Sequence, residues 1–259
     1  MTSWQALAQE AARWCDCGRT ADLWWRDDDA ADRTAALDDL LALQHETSVP
    51  VALAVVPARA TPGLAQCLSA LPQVDVLQHG YAHVNHAPPA EKKVELGPYR
   101  PAMAVLGELG AGWLALERLL GQRALPVLVP PWNRIAPALV PTLPEIGFRG
   151  LSAFGARRRT RLRGLIEVNT HVDLIDWKGS RGFVGAEAAL GNLVDALAAA
   201  RLASMEPVGL LSHHLAMDAT AWDFLRSMWE KVWTLPGLRL RSARELFADA
   251  GSATGEEGG

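Results

Sequence analysis

Short apolar runs of strand length recur along this chain, and each stops abruptly at polar or charged residues. Residues 51–56, 74–77, 125–129 and 208–211 are the clearest, and Leu23, Trp24 and Trp25 form a shorter one. Between them lie longer stretches with helical periodicity, over 34–45, 101–120, 184–202 and 219–234. Strands that are apolar on both faces are covered on both faces, as in a parallel sheet flanked by helices. Seven or eight such units in one run of about 250 residues predict an α/β chain folded as a distorted (β/α)7–8 barrel in a single domain. An open doubly wound sheet is the alternative, but no G-x-G-x-x-G follows the first strand and no P-loop is present. The expected organisation is a helical segment over 1–21, the barrel over 22–250 and a disordered tail over 251–259. Residues 166–173 read as one strand and 136–146 as a helix broken by proline.

Partners and compartment are bounded by composition. With 25 basic and 29 acidic residues, the formal charge of −4 argues against a nucleic-acid binder. Three cysteines, Cys15, Cys17 and Cys67, are too few for a disulfide framework. The N-terminus has no basic segment followed by a long apolar one, and no stretch reaches the ~18–20 apolar residues that cross a bilayer. A cytoplasmic protein without a transmembrane segment is therefore expected, acting on a small-molecule or oligosaccharide substrate. Arg157, Arg158, Arg159, Arg161 and Arg163 form one dense basic patch, read as a solvated loop or as a contact for an anionic substrate.

In a parallel β/α barrel the chemistry sits at the C-terminal ends of the strands. The unusual polar residues of this chain collect at those positions. The first apolar run ends in Arg26-Asp27-Asp28-Asp29, and the run at 74–77 leads to His79-Gly80-Tyr81-Ala82-His83. The run at 125–129 ends in Pro130-Pro131-Trp132-Asn133, and the one at 208–211 leads to Ser212-His213-His214. Three adjacent carboxylates repel one another unless a cation or an arginine offsets the repulsion. Two histidines four residues apart present both imidazoles on one side of a helical turn, a common metal-ligand spacing. Two imidazoles and one carboxylate make a three-ligand set with open positions for water and substrate. Adjacent residues of a strand point to opposite faces, so only one of His213 and His214 faces a pocket. A histidine there suits general acid work near neutral pH.

These residues, in this order, resemble the polysaccharide deacetylase superfamily, also called carbohydrate esterase family four. The family's T-F-D-D, H-(S/T)-x-x-H, R-x-P-(Y/F), D-x-x-D-W and L-x-H motifs are similar to the segments around Asp27–Asp29, His79–His83, Pro130–Trp132, Asp173–Trp177 and Leu211–His213. A divergent R-x-D-D, H-G-Y-x-H, P-P-W branch is the better match. The resemblance implies a distorted barrel and removal of an N-acetyl group from an amino sugar or glycan precursor. It implies Asp28 as catalytic base and His213 as catalytic acid. It implies Asp29, His79 and His83 as ligands of a divalent ion, zinc first, with cobalt, nickel, manganese or iron as alternatives. Asp27 and Asp28 are the other register for the base and ligand pair. Substrate contacts are expected from Arg26, Pro131, Trp132, Asp176, Trp177 and His214.

Two departures from the pattern stand out. Val129 occupies the place of the third motif's arginine, which buttresses the catalytic aspartate, so Arg26 or Arg134 is expected to take that part. Gly80 replaces the hydroxyl residue of the second motif, which braces its loop. The rival readings are a hydrolase for a small cytosolic amide or ureide, and a degenerate member that binds glycan or protein without catalysis.

Overall fold

A computed structural model describes residues 3–157 and 164–249. Arg158, Arg159, Arg161 and Arg163 of the basic patch, and the tail from residue 250 on, lie outside these residues. The strands hydrogen-bond in the order Ile166–Glu167, Gly150–Leu151, Ala124–Val129, Val74–His79, Val51–Val55, Ala21–Ala30, Val208–Ser212 and Val172–Asp173, with Leu238–Leu240 also pairing with Ala21–Ala30. Eight parallel strands with helices between them make this the α/β, distorted-barrel class expected from the apolar runs. No helix among the described residues is long and apolar enough to cross a membrane. The described residues fall into two compact units. The first holds residues 3–28, 34–51 and 170–242, and the second 29–33, 52–157, 164–169 and 243–249.

In the first unit, α1 (Ser3–Asp16) buries Leu7, Glu10, Ala11 and Trp14, the spacing of one helix face. Glu10 has no exposed side-chain surface and would be costly alone; Arg201 closes on it from Nε at 2.7 Å. The strand β1 (Ala21–Ala30) runs parallel to β8 (Val208–Ser212), with Leu23 opposite Val208 and Asp27 opposite Ser212. Beyond β8 lies the two-residue strand β7 (Val172–Asp173), while β9 (Leu238–Leu240) pairs with residues 21–23. Thr34 and Asp218 cap α2 (Ala35–Thr47) and α6 (Ala219–Trp233) through their side-chain oxygens. Phe224, Leu225, Met228, Trp229 and Val232 form the buried stripe of α6, and α5 (Ala186–Ala199) contributes Leu190, Leu193 and Leu197.

In the second unit, α3 (Pro62–Leu68) starts with proline at its first position, where no N–H is needed. The strands β3 (Val74–His79), β4 (Ala124–Val129), β5 (Gly150–Leu151) and β6 (Ile166–Glu167) pair in sequence order. The long helix α4 (Ala102–Leu120) packs Val105 and Leu109 onto a cluster with Leu128, Leu143, Phe148 and Leu151. Each such side chain contributes on the order of 1.5–3 kcal/mol on burial. The short helix α7 (Ala243–Asp249) lays Phe247 so close to Gly150 that a Cβ there would meet its ring at 2.6 Å. The strand β2 (Val51–Val55) is buried throughout.

Three local expectations need correction. The first strand does not stop at Trp25 but continues through the acids to Ala30, because Arg26, Asp27 and Asp28 find partners inside the protein. Residues 166–173 are not one strand: β6 pairs with β5, β7 pairs with β8, and Asn169 between them turns its amide onto Ala153 and Gly155. The proline-broken helix is a 3-10 turn over Val140–Ile146, since Pro144 offers no N–H to an α-helical ladder.

Candidate metal centre and acid–base residues

The second unit brings Asp29, His79 and His83 together, with one ligand atom of each within 4.8 Å of the others. Asp29 Oδ1 lies 3.2 Å from His79 Nε2 and 3.2 Å from His83 Nε2. His79 closes β3 and is buried, and its Nδ1 lies 3.1 Å from the Val129 carbonyl oxygen. A carbonyl only accepts, so Nδ1 is the donor of that contact, and Nε2 is the nitrogen that faces Asp29. Burial, then the neighbouring His79, holds the His83 pKa below the ordinary histidine value, against the pull of Asp29. Both imidazoles thus turn Nε2 toward one carboxylate oxygen. That borderline nitrogen and oxygen set fits zinc and its divalent neighbours.

The backbone around these residues is unusual. Asp29 has φ 77°, His83 φ 58°, Trp132 φ 54° and Asn133 φ 56°, all in the left-handed region that non-glycine residues seldom occupy. Such positions collect where function over-determines the structure. At Asp29 the left-handed backbone breaks the alternation of β1 just where the side chain meets the histidines. The Trp132 ring packs 4.4 Å from His83 between centroids, and Pro131 before it is buried. A cleft of about 370 Å³ begins at Asn133 and Arg134, with Phe154, Glu167 and Asn169 on its walls.

One residue here escaped the sequence reading. Glu95 is 1% exposed, and its carboxylate accepts the backbone N–H groups of Tyr81, Ala82 and His83. Sequence offered a weak signal at most, the unexplained Gly80. A Cβ at Gly80 would stand 2.0 Å from Glu95 Oε2 and 2.5 Å from the Pro131 ring.

The first unit holds the other aspartates. Arg26 and Asp28 point to one side of β1, and Arg26 donates Nε to Oδ1 at 2.8 Å and Nη2 to Oδ2 at 3.1 Å. Asp27 points to the other side. Ser212 Oγ donates to its Oδ2 at 2.6 Å, His214 Nδ1 lies 2.5 Å from its Oδ1, and Trp25 Nε1 donates to Ser212 Oγ. The three acids therefore face three different sets of partners. It is Asp29, not Asp28, that reaches the two histidines, which favours the Asp28 and Asp29 register. Arg26, not Arg134, buttresses Asp28; Arg134 donates to the Lys93 carbonyl.

Three of the expected substrate contacts have partners within the protein. Arg26 and His214 are buried at 0% and 1% exposure, paired with Asp28 and Asp27. Asp176 accepts from the N–H groups of Lys178, Gly179 and Ser180 and builds its own turn. His213 is half-buried and stacks edge-on with exposed Trp177 at 4.7 Å. Trp177 Nε1 donates to Asp173 Oδ2 at 2.9 Å. Burial pushes the Asp173 pKa up, and the nearby His213 pulls it back.

No protein-family model matches the chain, and no curated protein sequence does. Solved structures do match. A Mycobacterium smegmatis protein assigned to the polysaccharide deacetylases gives a TM-score of 0.66 at 14% identity, covering 91% of this chain and 92% of its own. A peptidoglycan N-acetylglucosamine deacetylase gives 0.60 at 18% identity, covering 88% of each chain. A family 4 acetyl xylan esterase from Clostridium thermocellum, in complex with a cobalt ion, gives 0.56 at 13%, covering 89% and 92%. At these identities the likeness is one of fold.

Proposed function

We propose that this chain, which has the fold of the polysaccharide deacetylases and family 4 carbohydrate esterases, is a metal-dependent hydrolase that removes an N-acetyl group from an amino sugar or glycan precursor. The observation that carries the reading is the convergence of Asp29 Oδ1, His79 Nε2 and His83 Nε2, with His79 Nδ1 against the Val129 carbonyl oxygen. When bound there, a divalent ion, zinc first, supplies Lewis acidity to the acetyl carbonyl and lowers the pKa of water toward about 7.

The remaining chemistry falls to side chains. Asp28, held by Arg26, takes the proton of the attacking water as its oxygen bonds to the acetyl carbon. A backbone N–H near Trp132 receives the developing oxyanion. His213, as imidazolium, gives its proton to the nitrogen as the C–N bond breaks, so that the amine leaves neutral and acetate is the other product. Trp132, packed against His83, suits an apolar wall for the acetyl methyl. The cleft beyond Asn133 suits a neighbouring sugar ring, with Phe154 offering an apolar face and Glu167 and Asn169 offering polar edges. The expected compartment is the cytoplasm, where the substrate would be a soluble precursor or a sugar–lipid intermediate.

The test is acetate release over a panel of N-acetylated amino sugars, their oligomers and non-sugar acetamides, with zinc or cobalt supplied. Turnover of the sugars supports the reading. Turnover of the non-sugar amides alone moves the chain to another substrate class, and no turnover with ion bound makes it a binding protein.

A further inference from the structure

The loop from His79 to His83 leaves ordinary backbone geometry twice, at Gly80 (φ 55°) and at His83 (φ 58°). For a residue with a Cβ the left-handed region costs about 1–2 kcal/mol, so something must hold His83 there. The Glu95 carboxylate is placed to do it: Oε1 accepts from Ala82 N at 2.7 Å and His83 N at 3.2 Å, and Oε2 from Tyr81 N at 3.3 Å. Hydrogen bonds to an ionised acceptor are the strong ones.

Glu95 is itself held from both sides. Before it, Val94 N donates to Asn85 Oδ1 at 2.9 Å, and the Val94 carbonyl accepts from His86 N at 3.0 Å. After it, Leu96 bridges to Ile135, and its carbonyl accepts from Ala136 N at 2.7 Å. The residue at position 80 leaves room for this carboxylate only because it has no Cβ. A buried, fixed acid thus fills the space beside the loop and gathers three successive N–H groups.

From this geometry we propose that Glu95 is a positioning residue: it pre-forms the His79–His83 loop and so sets the direction of His83 Nε2 toward Asp29. The proposal rests on the metal-centre reading for its consequence but not for its cause. Residues that orient metal ligands typically change ion affinity by about 10- to 100-fold when removed.

The experiment compares wild type, Glu95→Gln and Glu95→Ala in two measurements. The first is amide hydrogen exchange of the ion-free protein; the second is zinc affinity by competition with a chromophoric chelator. The expected result is exchange about 10- to 100-fold faster at Ala82 and His83 in Glu95→Ala, with core strands unchanged. Zinc binding is expected to weaken about 10- to 100-fold in the same variant, with Glu95→Gln between it and wild type. Unchanged exchange at residues 81–83, or faster exchange with zinc affinity equal to wild type, overturns the proposal. Failure of wild type to take up zinc defeats the metal centre instead, and the exchange measurement still decides the brace. If Glu95→Ala does not fold, Glu95→Gln decides in its place, because an amide keeps an acceptor but turns an N–H toward one of the loop donors.

Discussion

Arg26 and Asp28, two residues apart on β1, form a two-point ion pair with side chains only 0% and 2% exposed. The two-residue period of a strand puts both on one side, so the pairing is built into the sequence spacing. Removing one partner of such a buried pair leaves an uncompensated charge, at a cost of about 3–5 kcal/mol. Arg26→Met is expected to lose that much in urea denaturation, and Arg26→Met combined with Asp28→Leu to regain most of it. A loss under about 1 kcal/mol for the single variant would mean that the pair is not holding Asp28.

Asp27 and Asp29 are predicted to behave as opposites. Asp27 is spent on Ser212 and His214, while Asp29 faces His79 and His83. Asp27→Asn should retain zinc in equilibrium dialysis with reduced thermal stability, and Asp29→Asn should lose it. Zinc retained by Asp29→Asn would overturn the register in which Asp28 is the base and Asp29 the ligand.

Gly80→Ala tests the space that Glu95 fills. The new Cβ meets Glu95 Oε2 at 2.0 Å and the Pro131 ring at 2.5 Å, in a left-handed backbone. Overpacking costs about 1–3 kcal/mol and the backbone about 1–2 kcal/mol more. A drop of several degrees in melting temperature is expected; an unchanged melting curve would show the loop to be slack.

Asp173 carries a pH dependence. Burial raises its folded pKa above the ordinary carboxylate value of 3.8, so the folded protein holds this proton more tightly than the unfolded chain. The group's contribution to stability is therefore full below pH 3.8 and is lost as pH rises through the folded pKa. Asp173→Asn keeps the acceptor for the Ile175 N–H and removes the titration. The stability difference between wild type and variant should change across that window, and a constant difference from pH 3.5 to about 6 would contradict the shift.

What could be read from sequence was what depends on local pattern. Apolar runs placed β2, β4 and β8, and helical spacing placed α2, α4 and α6 within a few residues. The four-residue spacing of His79 and His83 marked the candidate metal pair, because His83 lies in the short loop that follows His79 at the end of β3. Glu95 was hidden because its contact with residues 81–83 is made by a chain reversal through 84–94, which has no periodicity to betray it. Arg26 was expected to brace the aspartate beside it and also to contact substrate, and the structure pairs it with Asp28. The partners that bury Arg26 and His214 lie on the same strand or across the β1 and β8 pairing, and sequence spacing alone marks only the first.

The claim on which the rest depends is the metal centre, and zinc titration of the ion-free protein by calorimetry at neutral pH tests it most directly. One ion per chain is predicted, with binding lost in His79→Ala. No bound ion in the wild type, or binding that His79→Ala leaves unchanged, would contradict it.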